Sequence, residues 1–588
     1  MIGIRISKLA PLAALAFLAA SCSRSPDQRA AQPLSPRSKS AAAQNAARCT
    51  GFNPERNLYF GDMHVHTSYS FDAYGFGTRT DPFGAYAFAQ GAPAQIASPP
   101  PDPSRTVQLV RRLDFAAVTD HSESFGEYPP GMFQGEHPAR DAWEHEQMAA
   151  EAANDTSANC SFAALIAYEW TGSMSGRWWH RNVIFRNAQV PQLAISSLDE
   201  NTPQGLWASL QAVCLNAGTG CDVISIPHNP NYSDGVMFNI PETITPEEAR
   251  TRAALEPLAE IHQAKGNSEC KIGVETSDPL CDFYQKFPVD CVANPGGFCS
   301  PANFVRNALR RGIQVEERIG VNPLKLGVIS DSDTHNGTPG DTDEYAYQGH
   351  HGRVDGSPAM RVATTSDVAY NNSGGLVAVW SEENSRDAIF DSFRRRETYG
   401  TSGQRPKLRF FGGWGYRDDL CNQPEMIRAA YQGGVPMGGD LPPMDPAAAA
   451  PAFLVSALKD PGTAEQPGTP LQHAQIVKGW IDPATGESHE RIYEAAGDPD
   501  NGATVDPDTC AIGGPGFDSL CAVWRDRDFD PSQRAFYYVR LLDNPTCSIY
   551  QLDCNQIDPG QRPASCSDGS FPMTIQARAW SSPIWYQP

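Results

Sequence analysis

Residues 57–73 read NLYFGDMHVHTSYSFDA, a short apolar run that is followed at once by polar side chains. The run has the length of a buried strand. His64 and His66 stand two positions apart, so on an extended segment both imidazoles point to the same side. The same arrangement recurs where Asp333 and His335 follow the run LGVIS. These two stretches predict strands that end in metal ligands.

Six apolar runs along the chain end in such side chains. Longer amphipathic stretches lie between them, an alternation typical of βα units. In a parallel barrel the carboxyl ends of all strands meet on one face, where active sites lie. We therefore predict an α/β barrel over residues 49–405. The runs and their polar residues are 57–60 with Asp62, His64 and His66; 113–118 with Asp120 and His121; 162–167 with Glu169; 223–226 with His228; 258–261 with Glu260 and His262; and 326–329 with Asp333 and His335.

The choice of ligands can be narrowed by position and by chemistry. Asp120 and His121 are adjacent, so on a regular strand only one of them faces the site; we favour His121 as the ligand, with Asp120 orienting a neighbour. Imidazoles together with carboxylates suit Zn, Mn or Fe rather than Ca. The expected cofactors are therefore divalent ions of Zn, Mn or Fe.

Five segments resemble the ordered motifs of the PHP (polymerase and histidinol phosphatase) superfamily. They resemble more closely those of the PHP-like family known as domain of unknown function 3604. The likeness extends through HRNVIF at 180–185 and the terminal stretches FYYVR and AWSSPIWY, and it covers nearly all of the mature chain. The five segments are HVHTSYSFDA (64–73), VTDHSE (118–123), AYEWTG (167–172), SIPHN (225–229) and SDSDTH (330–335).

This resemblance implies a distorted seven-stranded (β/α)7 barrel with a two- or three-metal centre that hydrolyses phosphate esters. Eight positions after the first motif histidine, PHP enzymes often carry a third histidine; here the residue is Asp72, which can still ligate. At the fifth run the ligand is His262 or Glu260, or the position has none. The remaining ligands carried over by motif are His64, His66, His121, Glu169, His228, Asp333 and His335.

The expected activity is phosphoester hydrolysis, with metals bridged by Glu169 and a metal-bound hydroxide as the nucleophile. Asp333 is the candidate proton acceptor or second bridge, and His335 or His180 would protonate the leaving group. Two alternatives stay open: hydrolysis of a carboxylic ester, amide or lactone by the same centre, and a non-catalytic, metal-holding surface protein that binds ligands. The side chains expected to neutralise an anionic substrate are Arg177, Arg181 and Lys265.

The amino terminus has the layout of an export signal. Basic residues precede an apolar stretch at 9–20, and Cys22 follows small residues, as at a bacterial lipoprotein cleavage site. We predict a signal over 1–22, a flexible linker over 23–48, and a periplasmic or outer-membrane lipoprotein or a secreted protein. Of 15 cysteines, those other than Cys22 form an even set that suits disulfides, with Cys214 and Cys221 as one short loop.

The net charge and the distribution of apolar segments limit the partners and the fold expected for the chain. A net charge of -22, from 46 Lys and Arg against 68 Asp and Glu, argues against a nucleic-acid partner. We expect a small anionic substrate, and contact with a membrane only through the lipid anchor. Short apolar segments broken by Gly and Pro predict a β-rich C-terminal portion over 406–588, either a separate sandwich or an extension of the barrel. Six histidines without a strand-end context are predicted to lie at the surface: His137, His145, His350, His351, His473 and His489.

Overall fold

The computed structural model describes residues 48–99, 104–125, 142–174, 176–366, 368–445 and 448–588. The predicted signal, and the predicted linker up to residue 47, lie outside the described residues. Within the described part, no helix is both long and apolar enough to pass through a membrane.

The described residues form a mixed α/β structure. The strands are β1 Asn57–Asp62, β2 Ala94–Ala97, β3 Ser104–Val107, β4 Phe115–Ala117, β5 Ala163–Trp170, β6 Ser173–Met174, β7 Arg177–Trp178, β8 Arg181–Phe185, β9 Val223–Pro227, β10 Leu258–Gln263, β11 Gly266–Asn267, β12 Gly327–Ser330, β13 Leu376–Ser381, β14 Thr398–Thr401, β15 Lys407–Gly413, β16 Gly434–Pro436, β17 Ala452–Leu458, β18 Leu471–Ile481, β19 Ser488–Gly497, β20 Thr504–Val505, β21 Ile512–Gly513, β22 Ser519–Arg525, β23 Ala535–Asp543, β24 Thr546–Cys547, β25 Thr574–Ile575, β26 Arg578–Ser581 and β27 Ile584–Tyr586. The α-helices are α1 Phe71–Phe76, α2 Pro82–Ala89, α3 Ala142–Ala153, α4 Pro203–Leu210, α5 Pro246–Leu255, α6 Val305–Ile319, α7 Pro358–Arg361, α8 Arg386–Arg395, α9 Met426–Gly433 and α10 Ile549–Gln556.

One large sheet dominates the fold. Its strand order is β19-β18-β23-β26-β14-β13-β1-β4-β5-β8-β9, and β27 pairs with β23. Strands from both sides of residue 405 therefore belong to the same sheet, since β14 pairs with β26. A smaller sheet holds β11, β10 and β12, and another holds β16, β15, β17 and β22.

The predicted (β/α)7 barrel is not confirmed: the strands among the described residues form a large mixed sheet with smaller sheets beside it, and no closed barrel is found among them. Strand β1 pairs in parallel with β4, and β4 with β5, but β5–β8 and β8–β9 are antiparallel. The chain reaches β8 from β5 through the short β6–β7 hairpin. A parallel return would need a crossover of a dozen or more residues, so the short connection makes β8 antiparallel.

Strand β5 shows why the apolar runs are continuous rather than alternating. All eight of its residues are buried, because both faces of the sheet are covered. Ile166 and Tyr168 point into one hydrophobic core, while Leu165 and Ala167 point into another. The strand is thus fixed from both sides, which gives the polar residue near its end, Glu169, a rigid support.

The strand ends that carry the site lie level with one another. Trp170 at the end of β5 is paired with Arg181 at the start of β8, and Arg181 is paired with Pro227 at the end of β9. Since β1, β4 and β5 run in parallel, their carboxyl ends lie at this same edge. Side chains far apart in sequence therefore meet at one edge of the sheet.

The 14 cysteines among the described residues are all paired, which is consistent with an extracytoplasmic protein. The predicted short loop between Cys214 and Cys221 is confirmed. The other disulfides are Cys49–Cys160, Cys270–Cys281, Cys291–Cys299, Cys421–Cys521, Cys510–Cys547 and Cys554–Cys566.

Candidate metal centre

Three overlapping groups of histidines and carboxylates, all buried except the partly exposed Asp72, meet near the strand ends, with ligand atoms in each group within 4.8 Å of one another. Two of the groups share His64 and two share His66, and both histidines come directly after β1. The groups are His64, Glu169 and His228; His64, His66 and Asp333; and His66, Asp72, His121 and His335. A further group of Cys270, Asp278 and Cys281 is excluded as a metal site, because its two cysteines form a disulfide.

Glu169 lies at the centre of the set. Its Oε1 atom is 2.8 Å from His180 Nδ1 and 3.2 Å from His228 Nε2. Its Oε2 atom is 3.2 Å from His66 Nε2 and 3.5 Å from His64 Nε2. Oε2 also lies 3.6 Å from His121 Nδ1. The two oxygens of one carboxylate thus face two different sets of imidazoles, as a bridging ligand would.

Asp333 faces the same imidazoles from the end of β12. Its Oδ1 atom is 3.2 Å from His64 Nε2 and 3.3 Å from His66 Nε2, and its Oδ2 atom pairs with Lys265 Nζ. The backbone of Asp333 has φ 54°, a left-handed conformation that is uncommon for residues other than glycine. Such conformations cluster at functional sites because the surroundings must hold them in place.

Asp72, in the first turn of α1, is the carboxylate of the third ligand group. Its Oδ2 atom is 3.1 Å from His121 Nε2 and 3.0 Å from His335 Nε2. The residue that stands where PHP enzymes often carry a histidine therefore reaches the centre as a carboxylate.

Polar side chains behind the imidazoles fix their orientation. His66 Nδ1 contacts Ser70 Oγ at 2.8 Å, and Ser70 donates to Asp120 at 2.6 Å. His64 Nδ1 contacts Glu260 Oε2 at 2.8 Å. When Nδ1 donates to the carboxylate, the Nε2 lone pair points into the centre, which is the arrangement that supports metal-bound histidines.

Several buried atoms of the centre have no hydrogen-bond partner, and two of them lie opposite each other. They are His64 Nε2 and Asp333 Oδ1, which face each other at 3.2 Å. A buried polar atom without a partner is costly, and a metal ion between such atoms removes that cost. Imidazole nitrogens and carboxylate oxygens are also the donors that Zn, Mn and Fe prefer, so these residues fit a metal centre.

Glu169 and Asp333 are held in their charged form although both are buried. Burial would raise the pKa of Glu169, but the neighbouring imidazoles, His121 foremost, keep it well below its usual value. Burial likewise opposes ionisation of Asp333, and His64 and Lys265 keep the pKa of this carboxyl well below its usual range. Negative charges buried together require positive charge beside them, which a divalent cation would supply.

The surroundings shift the pKa values of two of the imidazoles in opposite directions. Burial would lower the pKa of His64, but Asp333 and Glu260 raise it well above its usual value. Burial, reinforced by His64, lowers the pKa of His228 well below its usual value. His228 is therefore neutral and ready to ligate, while His64 occupies a position that favours positive charge.

His180 also lies at the centre, although it precedes a strand instead of following one. It stands just before β8, which is antiparallel to β5, so the start of β8 lies where its neighbours end. Its contact with Glu169 is the shortest of the imidazole contacts to that carboxylate. It also stacks against Trp178.

Three other residues that were predicted to bind metal or substrate do not contact the ligand groups. The His262 ring packs near Phe283 and Trp580 and belongs to none of the ligand groups found among the described residues, whereas Glu260 contacts His64. Arg181 is buried and paired with Glu256 at 2.7 Å. Arg177 is exposed and paired with Asp234 at 3.0 Å. Of the three predicted substrate cations, only Lys265 contacts a ligand.

Surface positions predicted for several histidines are corrected. His350 and His351 are buried, and the His351 ring stacks on His335 with centroids 4.9 Å apart. Asp355 accepts from the backbone of both residues, so a polar loop rather than a strand brings them to the centre, and no strand pattern marks them in the sequence. His473 is also buried, but on β18, where it contacts Glu494. His145 and His489 are partly exposed, and His137 lies outside the described residues.

Comparison with known proteins gives a family and one structural neighbour. The model of the family described as "Protein of unknown function (DUF3604)" matches residues 53–134 and 129–588. A crystal structure from Bacteroides vulgatus, of a two-domain protein containing a predicted PHP-like metal-dependent phosphoesterase, is 10% identical; the match covers 84% of this chain and 94% of that chain with a TM-score of 0.32. No curated protein matches.

Proposed function

This chain belongs to the DUF3604 family, and from that premise and the ligand geometry we propose that it is a metal-dependent hydrolase that cleaves phosphate esters. The observation that carries the proposal is the position of Glu169, whose two oxygens face separate sets of imidazoles. A carboxylate in that position would be able to serve two metals at once. The likeness of the motifs to those of PHP enzymes supports the same chemistry.

The residues that would hold two or three divalent ions, Zn, Mn or Fe, are those of the three ligand groups. When bound, ions of this kind polarise a phosphoryl oxygen and lower the pKa of water to about 7. The ions would be held by His64, His66, Asp72, His121, Glu169, His228, Asp333 and His335.

The remaining side chains would position the substrate and move protons. Lys265, paired with Asp333, would balance the charge of the phosphate as it enters. Asp333 would accept a proton or serve as a second bridging ligand. His180, whose Nδ1 is held by Glu169, would present its other ring nitrogen to the leaving group. His335 is the alternative proton donor.

The engagement of Arg177 and Arg181 in ion pairs of their own keeps a second candidate open. A site with a single cation at its ligands also suits a carboxylic ester, amide or lactone, because the same centre would polarise a carbonyl.

We further propose that the chain is exported and anchored through Cys22. The seven disulfides support an extracytoplasmic compartment.

The test combines metal analysis with substrate screens. The purified chain is loaded with Zn, Mn or Fe and assayed against phosphomonoesters, phosphodiesters and carboxylic esters. His64→Ala and Asp333→Asn should each abolish hydrolysis and lower the metal content per chain, because neighbouring residues cannot replace these ligands.

The matched control is His489→Ala, on β19 and stacked on Trp480, which should leave both quantities near wild type. Circular dichroism checks that each variant folds. Full metal content and full turnover in the His64 and Asp333 variants would contradict the proposed centre. Hydrolysis of carboxylic esters alone would replace the phosphoesterase by the second candidate.

A further inference from the structure

We infer that a row of aromatic side chains beside the metal centre is a subsite for a planar aromatic group on the alcohol side of the substrate ester. This inference rests on the proposed function and names the substrate class more closely. The aromatic row consists of Trp178, Tyr232, Phe287 and Phe298, and it starts at His180.

The row is continuous with the ligand set. The Trp178 ring stacks on the His180 ring with centroids 5.0 Å and planes 12° apart, and Tyr232 stacks on Trp178 at 4.5 Å and 13°. Phe287 meets Tyr232 edge to face at 4.6 Å, and Phe298 stacks on Phe287 at 3.8 Å. Because His180 also contacts the central carboxylate, a group that lies along the row is attached next to the reacting phosphate.

The row does not belong to the hydrophobic cores of the described residues. Trp178, Tyr232 and Phe287 are half-buried, Phe298 is 38% exposed, and none of the four packs into the apolar clusters around the sheets. Contiguous apolar side chains left in contact with water mark binding surfaces. Its place beside the ligands makes substrate the occupant that fits.

Disulfides hold the outer half of the row in place. Phe287 lies between two bonded pairs, Cys270–Cys281 and Cys291–Cys299, and Phe298 is adjacent to the second pair. A rigid site loses less conformational entropy on binding, so the row is suited to ligand binding as it stands.

The chemistry of the row favours an uncharged aromatic ring. Aromatic rings attract one another through faces and edges at centroid distances of roughly 4.5–7 Å, and the parts of the four rings that remain exposed are available for such contacts. Arg177 and Asp234, beside Trp178 and Tyr232, neutralise each other at 3.0 Å, which favours a neutral occupant. An aryl phosphate ester carries both features, an anion for the centre and a ring for the row.

The experiment measures binding rather than turnover. Phenylphosphonate and methylphosphonate present the same anion and resist hydrolysis, so their dissociation constants for the metal-loaded full chain are compared by calorimetry. Wild type should bind phenylphosphonate more tightly. Trp178→Ala and Phe298→Ala should each lower the preference roughly two- to tenfold, because each removes one aromatic contact.

Two variants serve as controls. Phe83→Ala, on α2, removes a phenylalanine that is 41% exposed, close to the 38% of Phe298, and should leave the preference unchanged. Trp178→Phe keeps a ring and should retain most of the preference, which separates loss of the subsite from misfolding.

Equal binding of the two phosphonates by wild type, or an unchanged preference in Trp178→Ala and Phe298→Ala, would overturn the subsite. If phosphate esters are still hydrolysed in that case, the proposed function stands. If neither phosphonate binds and no ester is cleaved, both proposals fail. Variants that change the sedimentation coefficient without changing the preference would identify the row as a contact between copies of this chain and overturn the subsite.

Discussion

Replacing Glu260 by alanine is expected to weaken metal binding roughly 10- to 100-fold, the usual cost of removing a residue that orients a metal-bound histidine. Glu260 Oε2 lies 2.8 Å from His64 Nδ1, on the far side of the imidazole from Glu169 and Asp333. Without this acceptor, the His64 ring is free to rotate and to change tautomer. The loss corresponds to about 1.4–2.7 kcal/mol of binding free energy.

The assay is competition for Zn or Mn between the protein and a chromophoric chelator of known affinity. Glu260→Gln keeps an acceptor for His64 but removes the negative charge, so its loss should be smaller than that of Glu260→Ala. His262→Phe preserves a ring between Phe283 and Trp580 and should leave the affinity near wild type. Circular dichroism and thermal melting of each variant verify the fold.

Two results would refute this reasoning. One is wild-type affinity in Glu260→Ala, which would mean that the contact with His64 does not orient the ligand. The other is a large loss of affinity in His262→Phe, which would make His262 a ligand that reaches the centre through a rearrangement. The first result would remove Glu260 from the centre, and the second would assign the metal to His262.

The remaining predictions concern stability, pairing of thiols and processing. Glu269→Gln should destabilise the fold by roughly 3–5 kcal/mol, because it breaks a buried network with two arginines, while the exposed Glu242→Gln should have little effect on the melting temperature. Burial would raise the pKa of Glu269, but Arg540 and Arg306 keep it below its usual value. This stabilisation is therefore present above the unfolded-state pKa of about 4.3 and is lost as the pH falls, so the melting temperatures of variant and wild type should converge in acid; a difference that grows below pH 4 would contradict it. Alkylation of denatured, unreduced protein should label few cysteines, and labelling of most of them would refute the disulfides. Mass spectrometry should find a lipid-modified amino terminus at Cys22, and an unmodified start further along the chain would exclude lipidation.

The sequence predicted which side chains meet at the edge of the sheet better than it predicted how the strands pair. A continuous apolar run followed by His or Asp marks a strand that is buried on both faces and ends at the site, as β5 with Glu169 illustrates. Two-residue spacing placed His64 with His66 on one side. Pairing direction is set by the length of the connection, however, and the β6–β7 hairpin carries no pattern that distinguishes it from a loop before a crossover helix.

The antiparallel direction of β8 explains why His180 could not be placed at the centre by looking for polar residues that follow apolar runs. Where neighbouring strands alternate in direction, one edge of the sheet collects the ends of some strands and the starts of others. His180 precedes β8 and yet meets Glu169, which lies near the end of β5, because Arg181 is paired with Trp170. The same edge receives Trp178, so the hairpin that reverses the strand direction also delivers the first ring of the aromatic row. The departure from a parallel barrel and the proposed substrate subsite thus have one structural cause. If the connection between β5 and β8 were a helical crossover, His180 would lie at the opposite edge of the sheet and the centre would lack it.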